Sequence, residues 1–598
     1  MSLPRFDTQG QLFSMAALTG KLFKVTDRYL LFAKKVYPHL AAARPSLEKC
    51  YCAENGRVAI EPVLMLGVSL LQSLDGVPDR QAVELLRYHV GWNLALNQQL
   101  GDGIFHPTSL VNFRHRLEKY ELKDLVFKVV LDALIDAGLV SRSSRQRLDS
   151  TQMLGRVAKM SRLDCVRESL RLALQELEGQ ISASERPMFW AESWDRYVES
   201  EVNFKSNTET LARKFRQAGA DVWTLLEWLR EAGREAGPQV LLLKRVFSEQ
   251  FAVIAGQSQP LEKETVNGSD PSPAPTESAN PPATEPTVAP PAESPAVAAV
   301  TETTSVEPKG AGQLDSGRVQ NPHDPEATYA VKGQGGNKKE HVGYKVQVAE
   351  TVSEAVLEPG EPTRNFLVGI VTHLAHQSDE VGAVKMEEEQ QRMGLSQPPV
   401  LYVDGAYVSA SELARAHAQG RELIGPAQPA PRKEGRWCSE DFQVNVEERT
   451  ARCPAGEIST QCSRLEEQGT GRVNYRFEFS RQSCQSCLGR EQCLGKDQKH
   501  RTLVVGEHHG FLQARRQEQQ TEAFAQRMKN RNAIEGTQSE LVRGYGMRHA
   551  RYRGVSKSQL QNYLIGAACN VQRWIRREIW SLRQSALSAV TAPVALDA

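Results

Sequence analysis

The stretch Pro399-Val400-Leu401-Tyr402-Val403-Asp404-Gly405-Ala406-Tyr407 decides which fold the second half of the chain adopts. A short apolar run stopped by Asp-Gly predicts a buried strand that ends at a turn. In open α/β sheets, ligands and catalytic groups gather at the carboxyl ends of strands, so Asp404 stands where a metal ligand would be expected. The alternative reading of these residues alone is an ordinary Asp-Gly turn.

Strand and helix patterns alternate on both sides of this stretch, which predicts an α/β fold. Polarity alternates over residues 343–349 as in a half-buried strand, and the apolar run over 366–372 is typical of a buried one. The other predicted elements are a helix capped by Ser378 and running to about Met393, a helix at 409–418, a strand at 421–425, and helices from about 511 to 580.

The first half of the chain is predicted to be helical up to a proline-rich boundary. Apolar residues recur at helical spacing through 10–140 and again through 155–255. The short basic segment with Arg114 and Arg116 follows a turn, so it is either the reading helix of a helix-turn-helix or a plain surface helix. Residues 257–318 are rich in Pro, Ala, Thr, Ser and Glu. Such a composition cannot bury enough apolar surface to offset its ordering entropy, which predicts a disordered linker.

Size and composition narrow the classes of protein. A chain of 598 residues corresponds to roughly three or four domains. Its 40% hydrophobic and 24% charged residues are ordinary for a globular protein, and the net charge of +1 averages over unlike segments. No apolar run approaches the roughly 18 residues of a membrane helix, and the N-terminus lacks the apolar core of a signal peptide. A cytoplasmic location without a membrane partner is therefore expected.

Two further acids stand in contexts that suit a site. Asp149 lies in Gln146-Arg147-Leu148-Asp149-Ser150-Thr151, which is either a strand ending in an acid or the N-cap of the next helix. Glu535 lies one helical turn after Arg531 in Arg531-Asn532-Ala533-Ile534-Glu535-Gly536-Thr537, so the pair shares a helix face. A carboxylate among arginines suits a place where metal meets phosphate, although an ordinary solvated ion pair has the same pattern. More basic residues follow: Arg543, Arg548, Arg551 and Arg553.

A cysteine cluster precedes the glutamate motif. Its members are Cys453, Cys484, Cys487 and Cys493, and the middle pair has C-x₂-C spacing. Cysteines so spaced in a reducing compartment suit tetrahedral zinc, and the alternative is reduced, packed thiols. Cys438 and Cys462 are spare candidates for the fourth ligand.

In this order, Asp149, Asp404 and Glu535 resemble the acidic triad of the DDE transposases of bacterial insertion sequences. The resemblance extends to Asp149-Ser150-Thr151, Asp324-Pro325-Glu326-Ala327, Gly343-Tyr344-Lys345, Asp404-Gly405-Ala406-Tyr407, the glutamate motif, Ala550-Arg551-Tyr552-Arg553-Gly554 and Ala568-Cys569-Asn570-Val571. The region 60–120 is similar to the InsH-like N-terminal helical domain of the same transposases, and these also carry a similar cysteine cluster.

The resemblance implies a ribonuclease-H-like catalytic core and metal-dependent cleavage and transfer of DNA strands for an insertion sequence. Asp149, Asp404 and Glu535 would hold Mg²⁺ or Mn²⁺, and the cysteines would hold a structural Zn²⁺. The implied partners are double-stranded DNA, as element ends and target, and further copies of the chain, in association with the nucleoid. The residues expected to contact DNA are Arg114, Arg116, Lys345, Arg531, Arg543, Arg548, Arg551 and Arg553. The alternatives are a catalytically inactive DNA-binding relic and a plain metal-dependent nuclease.

The predicted organisation follows the chain in seven parts. They are a helical DNA-binding domain at 1–140, the first core strand with a helical insertion at 141–256, the linker at 257–318, the ribonuclease-H-like core at 319–426, the cysteine-rich insertion at 427–505, C-terminal core helices with Glu535 at 506–585, and a tail at 586–598.

Overall fold

The computed structural model describes residues 1–4, 15–19, 21–52, 55–99, 104–200, 207–255, 304–333, 338–469 and 471–591. It is a mixed α/β structure, about half of it helical, which agrees with the predicted class. The contacts divide the chain into two compact units. Unit 1 combines Met1–Lys159 with Val319–Ala598, and unit 2 comprises Met160–Arg318.

The N-terminal part of unit 1 is helical, as the apolar spacing predicts. Its helices are α1 (Met15–Thr19), α2 (Arg28–Lys35), α3 (Tyr37–Ala42), α4 (Arg44–Glu48), α5 (Pro62–Asp75), α6 (Asp79–Tyr88), α7 (Val90–Ala95), α8 (Thr108–Lys119) and α9 (Leu125–Asp136). Helix α5 is buried from Pro62 to Gln72, begins with Pro at its first position and ends at Gly76 in the left-handed region. It is the central helix of this bundle.

The first strand and unit 2 come next along the chain. Strand β1 (Gln146–Leu154) belongs to unit 1, and unit 2 contains α10 (Arg162–Glu178), α11 (Trp190–Trp194), α12 (Thr208–Glu231), α13 (Pro238–Gln250), β2 (Phe251–Ala255) and β3 (Thr304–Pro308). β2 and β3 pair antiparallel, from Phe251 opposite Pro308. The linker predicted at 257–318 therefore ends too late, because residues 304–308 form a strand; its part up to 303 lies outside the described residues.

The main sheet belongs to unit 1. After β1 it continues with β4 (Thr328–Lys332), β5 (Lys339–Thr351), β6 (Leu367–Leu374), α14 (Asp379–Arg392), β7 (Val400–Tyr402), α15 (Ala410–Ala418) and β8 (Glu422–Ile424). The strand order is β6-β5-β1-β7-β8, and β4 pairs with the first residues of β5. β1 runs antiparallel to β5 and parallel to β7, and β8 runs parallel to β7.

The central strand β5 differs from its prediction. Residues 343–349 were expected to be half-buried, but they are buried on both faces. The reason is that helices pack on the sheet, so that polar positions of the strand are covered too. At Gly343 a Cβ atom would lie 2.1 Å from the Met153 carbonyl oxygen, so only glycine allows β5 and β1 to approach this closely.

The remaining elements are the cysteine-rich insertion and four C-terminal helices. They are β9 (Gln443–Asn445), β10 (Thr450–Arg452), β11 (Gln461–Glu466), β12 (Val473–Glu478), α16 (Arg481–Gln485), α17 (Arg490–Cys493), β13 (Thr502–Gly506), α18 (His509–Glu518), α19 (Glu522–Asn532), α20 (Ile534–Tyr545) and α21 (Val555–Thr591).

Helix α21 joins the N-terminal bundle to the sheet. It packs against α5 and α9 on one side and against β6 on the other, so bundle and sheet share one apolar core. The Asn570 side chain donates to the Leu367 carbonyl (2.9 Å) and accepts from the Leu367 amide (2.8 Å), which satisfies both backbone groups of Leu367 at the edge strand β6. Within the described ranges, no helix is both long and apolar enough to cross a membrane.

Candidate active site

The parallel pairing of β1 and β7 brings Asp149 beside Asp404. The register sets Arg147 opposite Tyr402, and each aspartate lies two residues further along its own strand direction. Asp149 is not at a strand end, as the sequence suggested, because β1 continues through Leu154 by pairing with β5. The alternative that it caps the next helix is wrong, since the cap of α10 is Ser161.

Local hydrogen bonds orient the two aspartates. Asp149 Oδ1 accepts the Ser150 amide at 2.8 Å, and Asp404 Oδ1 accepts the Ala406 amide at 2.9 Å. In each case the other oxygen, Oδ2, is left to face the neighbouring elements. The Asp149 side chain is only 10% exposed, whereas that of Asp404 is 38% exposed. The pair therefore lies at the rim of the sheet, with one buried acid and one half-exposed acid.

Glu535 reaches the same place from a helix boundary. The sequence predicted one helix through Arg531 and Glu535, but α19 ends at Asn532 and α20 begins at Ile534, with Ala533 between them. The predicted ion pair nevertheless forms, with Arg531 Nη1 at 3.1 Å from Glu535 Oε1. Glu535 is the most exposed of the three acids, at 70%.

The three acids converge on one guanidinium. Arg531 Nη2 lies 2.9 Å from Asp149 Oδ2 and 3.8 Å from Asp404 Oδ2, while its Nη1 contacts Glu535. The Arg531 Nε atom is buried and has no hydrogen-bond partner in the described structure. A positive charge thus already stands at the point around which three carboxylates are arranged, and this arginine has an unsatisfied donor there.

Burial and neighbouring charges act against each other on the buried acid. Burial raises the pKa of Asp149, the Arg531 guanidinium and the Ser150 amide lower it, and the Asp404 carboxylate raises it again. The net result is a pKa above the ordinary value for an aspartate. A neighbouring carboxylate that raises the pKa of Asp149 favours a cation between the two acids.

The carboxylates of Asp149, Asp404 and Glu535 are the kind of ligand that a divalent cation prefers, but their spacing in this structure does not suit a bound cation. Carboxylate oxygens are the ligands that Mg²⁺ and Mn²⁺ prefer. Among the described residues, however, no group of three or more His, Cys, Asp or Glu side chains stands in metal-binding geometry. At the acidic cluster the reason is the Arg531 side chain, which occupies the space between the carboxylates.

A buried charge network supports the acidic cluster from behind. Glu350 on β5 is fully buried, and its Oε2 atom lies 2.5 Å from Arg147 Nη2. Its Oε1 atom accepts from Thr537 at 2.8 Å and from Arg573. Arg147 also donates to the carbonyl of Asn530 at 3.0 Å. Glu350 therefore links the strand that carries Asp149 to the helix that carries Glu535.

Sequence reasoning missed Glu350 and Arg573. The available signal was a run of polar and charged side chains, Lys345, Gln347 and Glu350, inside an otherwise apolar strand. Buried charges need partners, so these residues could have been marked as members of an internal network.

The side chains predicted to contact DNA fall into two groups. Arg543, Arg548, Arg551 and Arg553 are exposed. The others are occupied within the protein: Lys345 is buried and donates to the Gln377 carbonyl at 2.9 Å, Arg114 is paired with Asp79, Arg116 stacks on Tyr51, and Arg531 is held by the acids. Lys345 in particular is not on the surface, because the strand that carries it is covered on both faces.

Asp79 connects two helices of the N-terminal bundle. α6 starts at Asp79, and Pro78 takes the cap position. The Asp79 carboxylate instead accepts from both terminal nitrogens of Arg114 on α8, at 3.1 and 2.5 Å. This bidentate pair fixes α6 to α8.

The four cysteines predicted as a cluster line one small cavity. Cys453, Cys484, Cys487 and Cys493 are among the residues that line about 20 Å³ of free space, which is room for about one water-sized atom, but in the described structure these thiols do not stand in metal-binding geometry. Burial raises the pKa of the Cys493 thiol to about 11; Arg501 lowers it and the other three thiols raise it. Cys438 and Cys462 do not line this cavity.

Comparison with known families gives two matches. Residues 452–575 match a family described as a transposase DDE domain, and residues 21–116 match one described as a transposase domain of the DUF772 type. The first match spans the cysteine cluster and Glu535, and Asp149 and Asp404 lie outside both matched ranges. No curated protein and no solved structure gives a significant match.

Proposed function

We propose that this chain is a DDE transposase of the insertion-sequence type, as its two transposase family matches support, and that Asp149, Asp404 and Glu535 are its catalytic triad. One observation carries the proposal: three acids from distant parts of the sequence contact a single guanidinium, that of Arg531. Bringing three carboxylates together is unfavourable without a cation, so such a cluster is more useful to catalysis than to stability.

The sheet order supports a ribonuclease-H-like core. In the order β6-β5-β1-β7-β8, the antiparallel β5 lies beside β1, and β7 and β8 extend the sheet on the other side of β1 as parallel strands. The resemblance seen in the sequence implies such a core, which uses two aspartates and a helical glutamate. Asp149 lies on β1, Asp404 follows β7, and Glu535 lies on α20.

The three acids would hold Mg²⁺ or Mn²⁺. When bound, such cations activate the attacking water or 3′-hydroxyl and stabilise the leaving oxygen during phosphoryl transfer. Asp149 and Asp404 would each offer the oxygen that faces Arg531, since the other oxygen accepts a backbone amide. Arg531 must leave the acids for this to happen, and its guanidinium is then free to hold a DNA phosphate.

We also infer that Cys453, Cys484, Cys487 and Cys493 bind a structural Zn²⁺. Their thiols share one cavity of atomic size, and four sulfur ligands are a closed tetrahedral set without an open position for chemistry. The metal would fix α16 and α17 to the strands of the insertion. Binding would also remove the proton of the Cys493 thiol, which burial now favours.

The partners follow from the reaction. Double-stranded DNA is the substrate, and the exposed arginines Arg543 and Arg548 lie within or just beyond the helix that carries Glu535, where they can contact its phosphates. One chain supplies one acidic cluster while an element has two ends, so at least two copies would act together on DNA in the nucleoid. Neither an inactive relic nor a plain nuclease has an observation in its favour.

The test compares Asp404→Asn with a matched control, Asp132→Asn. Asp132 lies on α9, is 34% exposed and pairs with Lys128. The control substitution therefore removes a carboxylate that is about as exposed as that of Asp404. Asp404→Asn should lower Mg²⁺-dependent nicking of element-end DNA by about a thousandfold while DNA binding persists, because several kcal/mol of transition-state stabilisation are lost. Asp132→Asn should cut at the wild-type rate. Wild-type cleavage by Asp404→Asn would overturn the triad, and cleavage without strand joining by the wild type would favour a nuclease.

A further inference from the structure

Unit 1 contains a cavity lined by several cationic side chains, and Asp149, Asp404 and Glu535 are not among its lining residues. The cavity has a volume of about 480 Å³ and lies between α8 and the start of α21. Its cationic lining consists of Arg114, Arg156, Arg551, Arg553 and Lys557, and the acid among the lining residues is Glu118. This size admits a charged group together with its hydration water.

The charge of the cavity is not balanced within the protein. Arg114 is neutralised by Asp79, and Glu118 lies 4.0 Å from His115. Arg156, Arg551, Arg553 and Lys557 form no salt bridge with any residue in the described part of unit 1. Four unpaired cations around one concave surface attract an anion that carries several charges, and a nucleic-acid backbone is such an anion.

The loop between α20 and α21, here called the cationic loop, carries Arg551 and Arg553 and is held in place by hydrogen bonds to neighbouring elements. Arg156 donates to the Arg551 carbonyl at 3.0 Å, and the Gly554 amide donates to the Tyr344 hydroxyl at 2.8 Å. Gly554 adopts a φ of 89°, a conformation that favours glycine at this turn into α21. The arginines on either side of Tyr552 are therefore presented by a fixed turn, which lowers the entropic cost of binding a ligand.

The position of the cavity relative to the acids follows from the strand. Leu154, the last residue of β1, exchanges backbone hydrogen bonds with Arg548 (2.8 Å) and Ala550 (2.9 Å), so the cationic loop runs beside the end of β1. Asp149 lies on the same strand. At about 3.3 Å per residue the strand end is roughly 17 Å from Asp149. Neighbouring phosphates of a DNA strand follow one another by about 3.4 Å along the duplex axis, so a strand whose phosphate lies in the cavity can reach the acids within a few nucleotides.

We propose that this cavity binds a backbone phosphate of the element-end DNA, a few nucleotides from the cleaved bond, with Arg553 and Lys557 as its ligands. The proposal rests on the proposed function, because the acidic triad defines the cleaved bond. Helices α8 and α21 would then both lie beside the bound DNA, because each contributes residues to the lining of the cavity.

The test is a double-mutant cycle between protein and DNA, with the full-length chain and a duplex that carries one element end. Single phosphates of each strand are replaced in turn by an uncharged methylphosphonate, and affinity is measured for the wild type and for the Arg553→Ala/Lys557→Ala variant. In the wild type one replacement should weaken binding about tenfold, as for a charged hydrogen bond. In the variant the same replacement should have almost no effect, because the partner is gone.

The charge-matched control is Lys119→Ala/Lys123→Ala, which removes two cations from α8 and the segment after it but none from the cavity lining. It should keep the wild-type response to every replacement. The cavity variant should also show a salt dependence of log K that is shallower by about 1, which corresponds to one lost phosphate contact. A melting profile of each variant that matches the profile of the wild type shows that the fold is preserved.

The two proposals fail in different ways. A cavity variant that responds to every replacement as the wild type does would overturn the phosphate site, whether or not the protein cleaves DNA. A coupled phosphate far from the mapped cleavage position would overturn the assigned distance. If Asp404→Asn loses cleavage while the cavity variant responds as the wild type does, the catalytic triad is supported and the phosphate site is overturned.

Discussion

Replacing Glu350 with Gln tests how much the buried charge network behind the three acids contributes to the stability of the protein. The change keeps the shape of the side chain and removes its charge, which leaves Arg147 without an acidic partner. The Arg147 side chain is 5% exposed and the Arg573 side chain is 3% exposed, so neither can turn to water. Arg573 keeps Glu540, at 2.7 Å.

Breaking a buried ion pair from one side costs about 3–5 kcal/mol. Since one of the two arginines retains an acid, the expected loss for Glu350→Gln is near the lower limit, about 3 kcal/mol of unfolding free energy. The assay is urea unfolding, with the midpoint lowered and the slope unchanged. Glu354→Gln is the control, because Glu354 is 58% exposed and its pair with Arg145 contributes less than about 1 kcal/mol. A Glu350→Gln protein as stable as this control would refute the reasoning.

Three further predictions concern separate features of the chain. Arg531→Ala should lower the Mg²⁺ concentration for half-maximal cleavage severalfold, because the guanidinium no longer competes for the acids, and an unchanged requirement would contradict this. His373 has a pKa lowered by burial from 6.5 to about 4, so the unfolded state binds more protons between these pH values. Stability should therefore fall as pH drops through that window, by up to about 1.4 kcal/mol per pH unit, and His373→Gln should lose this part of the slope; an identical slope would refute the assignment. Freshly purified protein should contain one zinc per chain, which Cys484→Ser loses and Cys462→Ser keeps, and zinc-free wild type would contradict the site.

Local patterns in the sequence predicted the elements that depend on neighbouring residues. Ser378 caps α14, which ends at Arg392, and the strand before Asp404 is present as β7. These elements are set by capping and by short apolar runs, which act over a few residues. The grouping of Asp149, Asp404 and Glu535 came from their resemblance to a family and not from their spacing.

Long-range contacts decided what the sequence left open. Asp149 fitted a strand or a helix cap equally well until the pairing of β1 with β5 and β7 was known. The pairing of Arg531 with Glu535 was readable at four-residue spacing, whereas its contact with Asp149, 382 residues earlier, was not. The burial of Lys345, which was expected to contact DNA, could not be predicted, because a single strand does not reveal that helices cover both of its faces.

The most direct measurement is a crystal structure of the chain with element-end DNA and Mn²⁺, in which anomalous scattering locates the metal. We expect a peak bound by Asp149, Asp404 and Glu535, with Arg531 turned away from the acids and towards a DNA phosphate. A Mn²⁺ peak elsewhere, or acids still paired with Arg531 in a complex that cleaves DNA, would contradict the account.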